Sequence, residues 1–116
     1  MPNLYKVIDL SSESAGVKVY DNHAVARIND HEVRISIMFE DYHWHCHPDS
    51  DECFLSVQGG LLIDFDEGTV ELRPGQLITV PRGVRHRTRP KGERSMNLTF
   101  ELAGAQSESL PHPPCA

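Results

Sequence analysis

The sequence predicts an all-β domain that closes as a barrel or sandwich, on three observations. Between residues 33 and 39 the apolar side chains Val33, Ile35, Ile37 and Phe39 alternate with Arg34 and Ser36, the period-two pattern of a strand buried on one face. Short β-favouring runs recur between Gly- and Pro-containing turns at Gly59-Gly60, Asp66-Glu67-Gly68, Arg73-Pro74-Gly75 and Pro81-Arg82-Gly83. No segment carries a helical stripe of adequate length.

The strands follow in order. The first is 33–39. A short run at 53–57 ends at the Gly59-Gly60 turn, and runs 61–65 and 69–72 flank a hairpin loop at Asp66-Glu67-Gly68. Runs 76–80, 85–89 and 95–102 complete the set. Strands this short and turns this frequent indicate a sandwich or barrel. Bare edges invite pairing, so the sheet is expected to close on itself or meet a second subunit. The expected barrel covers 1–102. The segment 103–116, rich in Ser, Pro, Gly and Ala, is expected to be a loose tail, and its His112 and Cys115 are therefore set aside as ligands.

The 116 residues fit one domain, with 39% apolar and 24% charged residues as in ordinary soluble proteins. A chain of this size buries a core without a disulfide or metal staple, so any metal here is expected to serve function. The formal net charge of -6 opposes nucleic acid and anionic membranes as partners. One basic cluster, Arg82, Arg85, Arg87, Arg89, Lys91 and Arg94, runs against that balance. It reads as a solvated surface or, more sharply, as a seat for an acidic substrate or a partner subunit. Cys46, Cys53 and Cys115 form no C-x-x-C pair. With no basic-then-apolar start and no long apolar run, the expectation is a cytoplasmic protein in a reducing compartment.

Chemistry concentrates in His43-Trp44-His45-Cys46-His47-Pro48-Asp49-Ser50-Asp51-Glu52. Residues i and i+2 of a strand share a face about 7 Å apart, so His45 and His47 can aim two imidazoles at one ion. Pro48 ends that strand, and Glu52 opens the return strand, where a carboxylate suits Fe, Mn, Ni or Zn. Asp51 is the rival carboxylate. Downstream, a Pro-x-Gly turn at Pro81-Arg82-Gly83 redirects the chain so that His86 can point into the same cavity.

These residues carry a family resemblance. His45-x-His47, then Glu52 after four residues and Gly59 after six more, resembles the first motif of the cupin superfamily. Gly75, then Pro81 after five, Gly83 after one and His86 after two, resembles the second. The motifs span 44–59 and 75–86. The resemblance implies a small single-domain cupin: a double-stranded β-helix (jelly-roll) barrel, often a homodimer, with one divalent metal ion (Fe, Mn, Ni or Zn) on His45, His47, Glu52 and His86. Two positions depart from the pattern. Pro90 stands where the second motif usually has Asn, which is expected to alter a strand end only. Phe39 or Glu40 replaces the Gly that usually opens the first motif.

In this register His43 shares the parity of His45 and His47 and sits at the rim, a candidate proton carrier. Trp44 and Cys46 point away. Phe54 and Ser56 follow Glu52 on its face, with Met38 and Thr88 as further wall residues. On the last strand either Met96, Leu98 and Phe100 or Asn97 and Thr99 face inward, and apolar periodicity favours the first set. A mostly apolar cavity suits a small organic ligand.

Two function classes remain. Three histidines and a carboxylate leave two octahedral positions open for a chelating substrate, O₂ or water. That supports a metal-dependent enzyme, with dioxygenase chemistry on an enolisable compound favoured over isomerisation of a sugar or keto acid. The alternative is a non-catalytic small-molecule or carbohydrate-binding sensor, which fold alone does not exclude.

Overall fold

A computed structural model of the chain describes residues 5–110. It contains one short helix and ten strands: α1 (Leu10–Ser14), β1 (Asp21–Ile28), β2 (His31–Met38), β3 (His45–Cys46), β4 (Glu52–Gln58), β5 (Leu61–Phe65), β6 (Gly68–Leu72), β7 (Leu77–Val80), β8 (Arg87–Pro90), β9 (Ser95–Leu102) and β10 (Glu108–Ser109). All strand pairs are antiparallel. The five-stranded sheet runs β1-β2-β9-β4-β7, the three-stranded sheet β6-β5-β8, and β10 pairs with β3. The double-stranded β-helix expected from the motifs is the fold found.

Two apolar clusters lie on opposite sides of the large sheet. Between the sheets, Met38, Phe54, Leu61, Ile63, Leu72 and Val80 pack together. On the outer face, Ile35, Ile37 and Met96 are buried beneath Leu10 and Val17 of the N-terminal segment, with Val25, Val57 and Leu98 beside them. The short α1, absent from the sequence reading, belongs to this cover. Asp9 caps it by accepting from the Ser11 and Ser12 amides at 2.9 and 3.2 Å.

This cover corrects one expectation. Met96, Leu98 and Phe100 do not line the cavity: they share the outward parity of β9, with Met96 and Leu98 in the outer cluster and Phe100 in register with Val33 and Cys53. Asn97, Thr99 and Glu101 face inward instead. Apolar periodicity identified the buried face correctly, but an external segment buries it.

A second correction concerns the C-terminal segment. Its residues 103–110 are tied to the barrel. Glu108 and Ser109 pair with Cys46 and His45, the Ala103 amide donates to Asp30 O at 2.9 Å, and the Leu110 amide donates to Trp44 O at 2.8 Å. His112 and Cys115 lie outside the described residues. Cys46 and Cys53 are free thiols.

Most of the basic cluster is paired within the chain, while Arg94 donates to Gln58 Oε1 at 3.2 Å. Asp64 accepts from both Arg87 and Arg89, Arg82 pairs with Asp51, Arg85 with Asp66, and Lys91 with Glu71. Arg85 and Arg87 also stack over Trp44, at 4.9 and 5.2 Å from its ring. Among the described residues no helix is long and apolar enough to cross a membrane.

Candidate metal centre

Backbone pairing brings the two motifs together. The His45 amide donates to His86 O and the His86 amide donates back to His45 O, each at 2.9 Å. This reciprocal bridge fixes the two histidines side by side, with ring centroids 4.3 Å apart. The Gly83 amide donates to His47 O at 2.8 Å, tying the Pro-x-Gly turn to the first motif. Glu52, the first residue of β4, pairs with Val80 at the end of β7. Four ligand atoms, one each from His45, His47, Glu52 and His86, lie within 4.8 Å of one another. Asp51 is exposed and accepts from the Arg82 amide at 2.9 Å instead, so Glu52 is the carboxylate of the cluster.

Main-chain carbonyls orient all three rings. Nδ1 donates to His43 O at 2.9 Å in His45, to Gln106 O at 2.8 Å in His47, and to Val84 O at 2.8 Å in His86. That tautomer leaves each Nε2 with a lone pair directed inward, the arrangement by which ligating histidines are held. Glu52 Oε1 stands 3.0 Å from His47 Nε2 and 3.4 Å from His86 Nε2. Despite that proximity all three atoms are buried and without a hydrogen-bond partner, because with neutral rings each of them is an acceptor. A cation resolves such a cluster of acceptors, so the residues fit a divalent ion.

In the absence of an ion a proton takes part of that role. Contact with the Glu52 carboxylate raises the His47 pKa to about 9 against the opposing effect of burial. Burial and the neighbouring His86 push His45 down to about 4. Burial alone would raise Glu52, but His47 and His86 outweigh it and hold the carboxyl below its ordinary range. Metal binding at such a site releases protons.

Beside the cluster lies a cavity of about 470 Å³, the size of a small-molecule site. Met38, Phe54, Thr88 and Leu61 form part of its wall, as do Tyr42, His45, His47 and Glu52. Ser56 is 1% exposed on the same face of β4 but lies outside the lining. Much of the remaining lining is polar: Tyr20, Asn22, Glu32, Arg34, Ser36 and the inward residues of β9. The cavity is therefore amphiphilic rather than mostly apolar. His43 does not line the cavity: its side chain is exposed, as at a rim, with its ring 4.1 Å from that of Tyr42 and 5.5 Å from that of His45. Its carbonyl is the one that orients the His45 ring. Periodicity also missed Glu101, which is 8% exposed and whose carboxyl is pushed up to about 7 by burial and by the nearby Glu52 charge.

Residues 39–100 match the family model described as a cupin domain. The chain belongs to the cupin family. It is 40% identical over 95 residues to the uncharacterized protein YdbB of Bacillus subtilis, covering 81% of this cupin and 83% of that protein. The polyketide synthase CurC of Streptomyces cyaneus is 38% identical over 69 residues, which cover 59% of this cupin but only 45% of CurC. Among solved structures, a cupin-2 domain protein from Shewanella frigidimarina superposes with a TM-score of 0.76 at 26% identity, covering 83% of this cupin and 94% of its counterpart.

Proposed function

We propose that this cupin is a metal-dependent enzyme acting on a small organic substrate, with His45, His47, Glu52 and His86 holding one divalent ion. The observation that carries the reading is the convergence of three carbonyl-locked imidazoles and one carboxylate beside a cavity of about 470 Å³. A divalent ion bound there would polarise a carbonyl or enolate and, as Fe or Mn, would support chemistry with O₂.

The protein's own residues bind and orient. Phe54, 5.9 Å from the His86 ring, and Met38 and Leu61 present apolar surface on the side of the histidines and limit water there. That apolar end favours dioxygenase-type chemistry on an enolisable compound. The relative CurC, a polyketide synthase protein, points the same way, since polyketides are rich in enolisable carbonyls. Isomerisation by proton transfer is the second reading. One rung beyond the Cys53–Phe100 pair places Glu101 opposite Glu52, a carboxylate outside the ligand set and in the cavity wall. The same reading takes the protein as cytoplasmic and as a homodimer joined through its open sheet edges, β1 and β7. Light scattering of the purified protein checks the dimer.

The functional test is elemental analysis of purified protein, followed by O₂ uptake and solvent-deuterium incorporation with a panel of diketones and keto acids. Stoichiometric metal and O₂ consumption that vanish together in His47→Ala support the oxygenase, whereas deuterium incorporation without O₂ uptake supports the isomerase. Ligand-dependent thermal stabilisation without turnover would make the protein a binding module. No metal after reconstitution overturns both enzyme readings.

A further inference from the structure

The cavity wall formed by the large sheet is ruled by polar rows that cross the strands. In one row Asn22 of β1 stands opposite Ser36 of β2, Ser36 opposite Asn97 of β9, and Asn97 opposite Ser56 of β4. In the next, Arg34 faces Thr99 and Thr99 faces Phe54. Asn97 and Thr99 are 1% and 3% exposed, and both line the cavity. Asn97 Nδ2 donates to Ser95 Oγ at 3.1 Å, which fixes the amide. Yet Asn97 Oδ1 and Thr99 Oγ1 find no hydrogen-bond partner among the described residues. Buried acceptors are costly unless something donates to them, and the open space they face is the cavity.

The charges around this row select against anions. Arg34 is the cation here, and its guanidinium is already engaged: Nε donates to Asn22 Oδ1 at 2.6 Å, one terminal nitrogen to Glu32 Oε1 at 2.8 Å and the other to Asn22 O at 3.2 Å. Glu32, Glu52 and Glu101 line the same cavity. Along β4, the level of Thr99 is two residues from Glu52 and that of Asn97 is four, about 7 and 13 Å in strand rise. A ligand of one small ring held at the histidines therefore brings its far end to the level of Thr99, and a hydroxyl projecting from that end points on toward the level of Asn97.

We propose that Asn97 and Thr99 form a specificity subsite for a hydroxyl group at the far end of a neutral, hydroxylated substrate, with Asn97 Oδ1 accepting the hydroxyl proton and Thr99 Oγ1 donating to the hydroxyl oxygen. The inference rests on the metal reading above, and its test separates the two. Three hydroxypyranones share one metal-chelating end and differ at the other: kojic acid carries a hydroxymethyl group, allomaltol a methyl group and comenic acid a carboxylate. Calorimetric titration of the metal-loaded protein is expected to show kojic acid binding about 3- to 10-fold tighter than allomaltol, the worth of one net hydrogen bond, with comenic acid weakest.

Thr99→Val and Asn97→Leu are expected to bring kojic acid and allomaltol within twofold of each other at unchanged metal content, while Thr99→Ser keeps the preference. Because Thr99 Oγ1 has no partner within the fold, Thr99→Val should leave the melting temperature unchanged or higher, which a structural hydroxyl would not. Metal and allomaltol binding without a kojic acid preference, or a preference that survives both apolar variants, overturns the subsite alone. Loss of metal, or no binding of any pyranone to metal-loaded wild type, overturns the metal reading and the subsite with it.

Discussion

Replacing Asp64 with Ala tests how the strand that follows His86 is held. Asp64 is 6% exposed on β5 and accepts five hydrogen bonds: two each from Arg87 and Arg89, at 2.9 to 3.1 Å, and one from Thr69 Oγ1 at 2.6 Å. Removing the carboxylate leaves two guanidiniums close together on β8. Losing one member of a fully buried pair costs about 3–5 kcal/mol, but the arginine side chains are 21% and 31% exposed and water partly replaces the lost partner. We expect a loss of about 2–3 kcal/mol at pH 7, or roughly 10 °C in melting temperature for a domain of this size.

The loss should depend on pH. Burial would raise the Asp64 pKa, but the hydrogen bonds from Arg89, Thr69 and Arg87 bring it down to about 2. A carboxyl depressed in the folded state stabilises fully above its unfolded pKa of about 3.9 and loses that contribution as pH falls through the folded value. Discounted for the solvent around the arginines, the charge-linked part is about 1–2 kcal/mol. In urea unfolding from pH 7 down to pH 2 the gap between wild type and Asp64→Ala should therefore narrow by about 1 kcal/mol, mostly between pH 4 and pH 2. A difference under about 1 kcal/mol at pH 7, or one that does not change with pH, refutes the assignment.

Three further outcomes follow from the packing. A Cβ on Gly59 would lie 2.0 Å from Arg94 O at a φ of +82°, whereas one on Gly75 meets nothing within 4 Å at +89°. Gly59→Ala should cost about 3 kcal/mol or more and Gly75→Ala about 1, measured by thermal unfolding. Met96→Ala should cost about 2–4 kcal/mol yet leave metal content unchanged by elemental analysis, because the side chain packs on the outer face of the sheet. Truncation after Leu102 removes the carbonyl of Gln106 that orients His47, and should weaken metal binding roughly 10- to 100-fold in a chelator competition.

The ligand quartet was legible in the sequence because each of its members sits at a fixed offset from a turn: Pro48 after His47, the Pro-x-Gly turn before His86. Strand order is not needed to see it. The wall of the cavity was not legible in the same way. Alternation tells which side chains of β9 are buried, and an N-terminal cover buries Met96 and Leu98 as thoroughly as a barrel interior would. The inward set contains Asn97 and Thr99, the less favoured of the two options for this strand, together with Glu101, and periodicity ranked them low because a cavity, like solvent, accommodates polar groups. The segment 103–110 carries little to bury, and its attachment runs through main-chain groups that composition does not report.

The carbonyl partners of the three imidazoles have a consequence for how the centre responds to change. A main-chain oxygen has no side chain to lose, so point replacements at residues 43, 84 and 106 leave each ring its anchor. What the anchors do register is displacement of the chain itself. His45 and His86 share one tightly bridged patch of backbone, whereas the tether of His47 belongs to the C-terminal strap. Anything that lifts that strap would therefore remove the ring anchor of His47 outright, while His45 would lose a strand neighbour but keep its ring anchor and its bridge to His86.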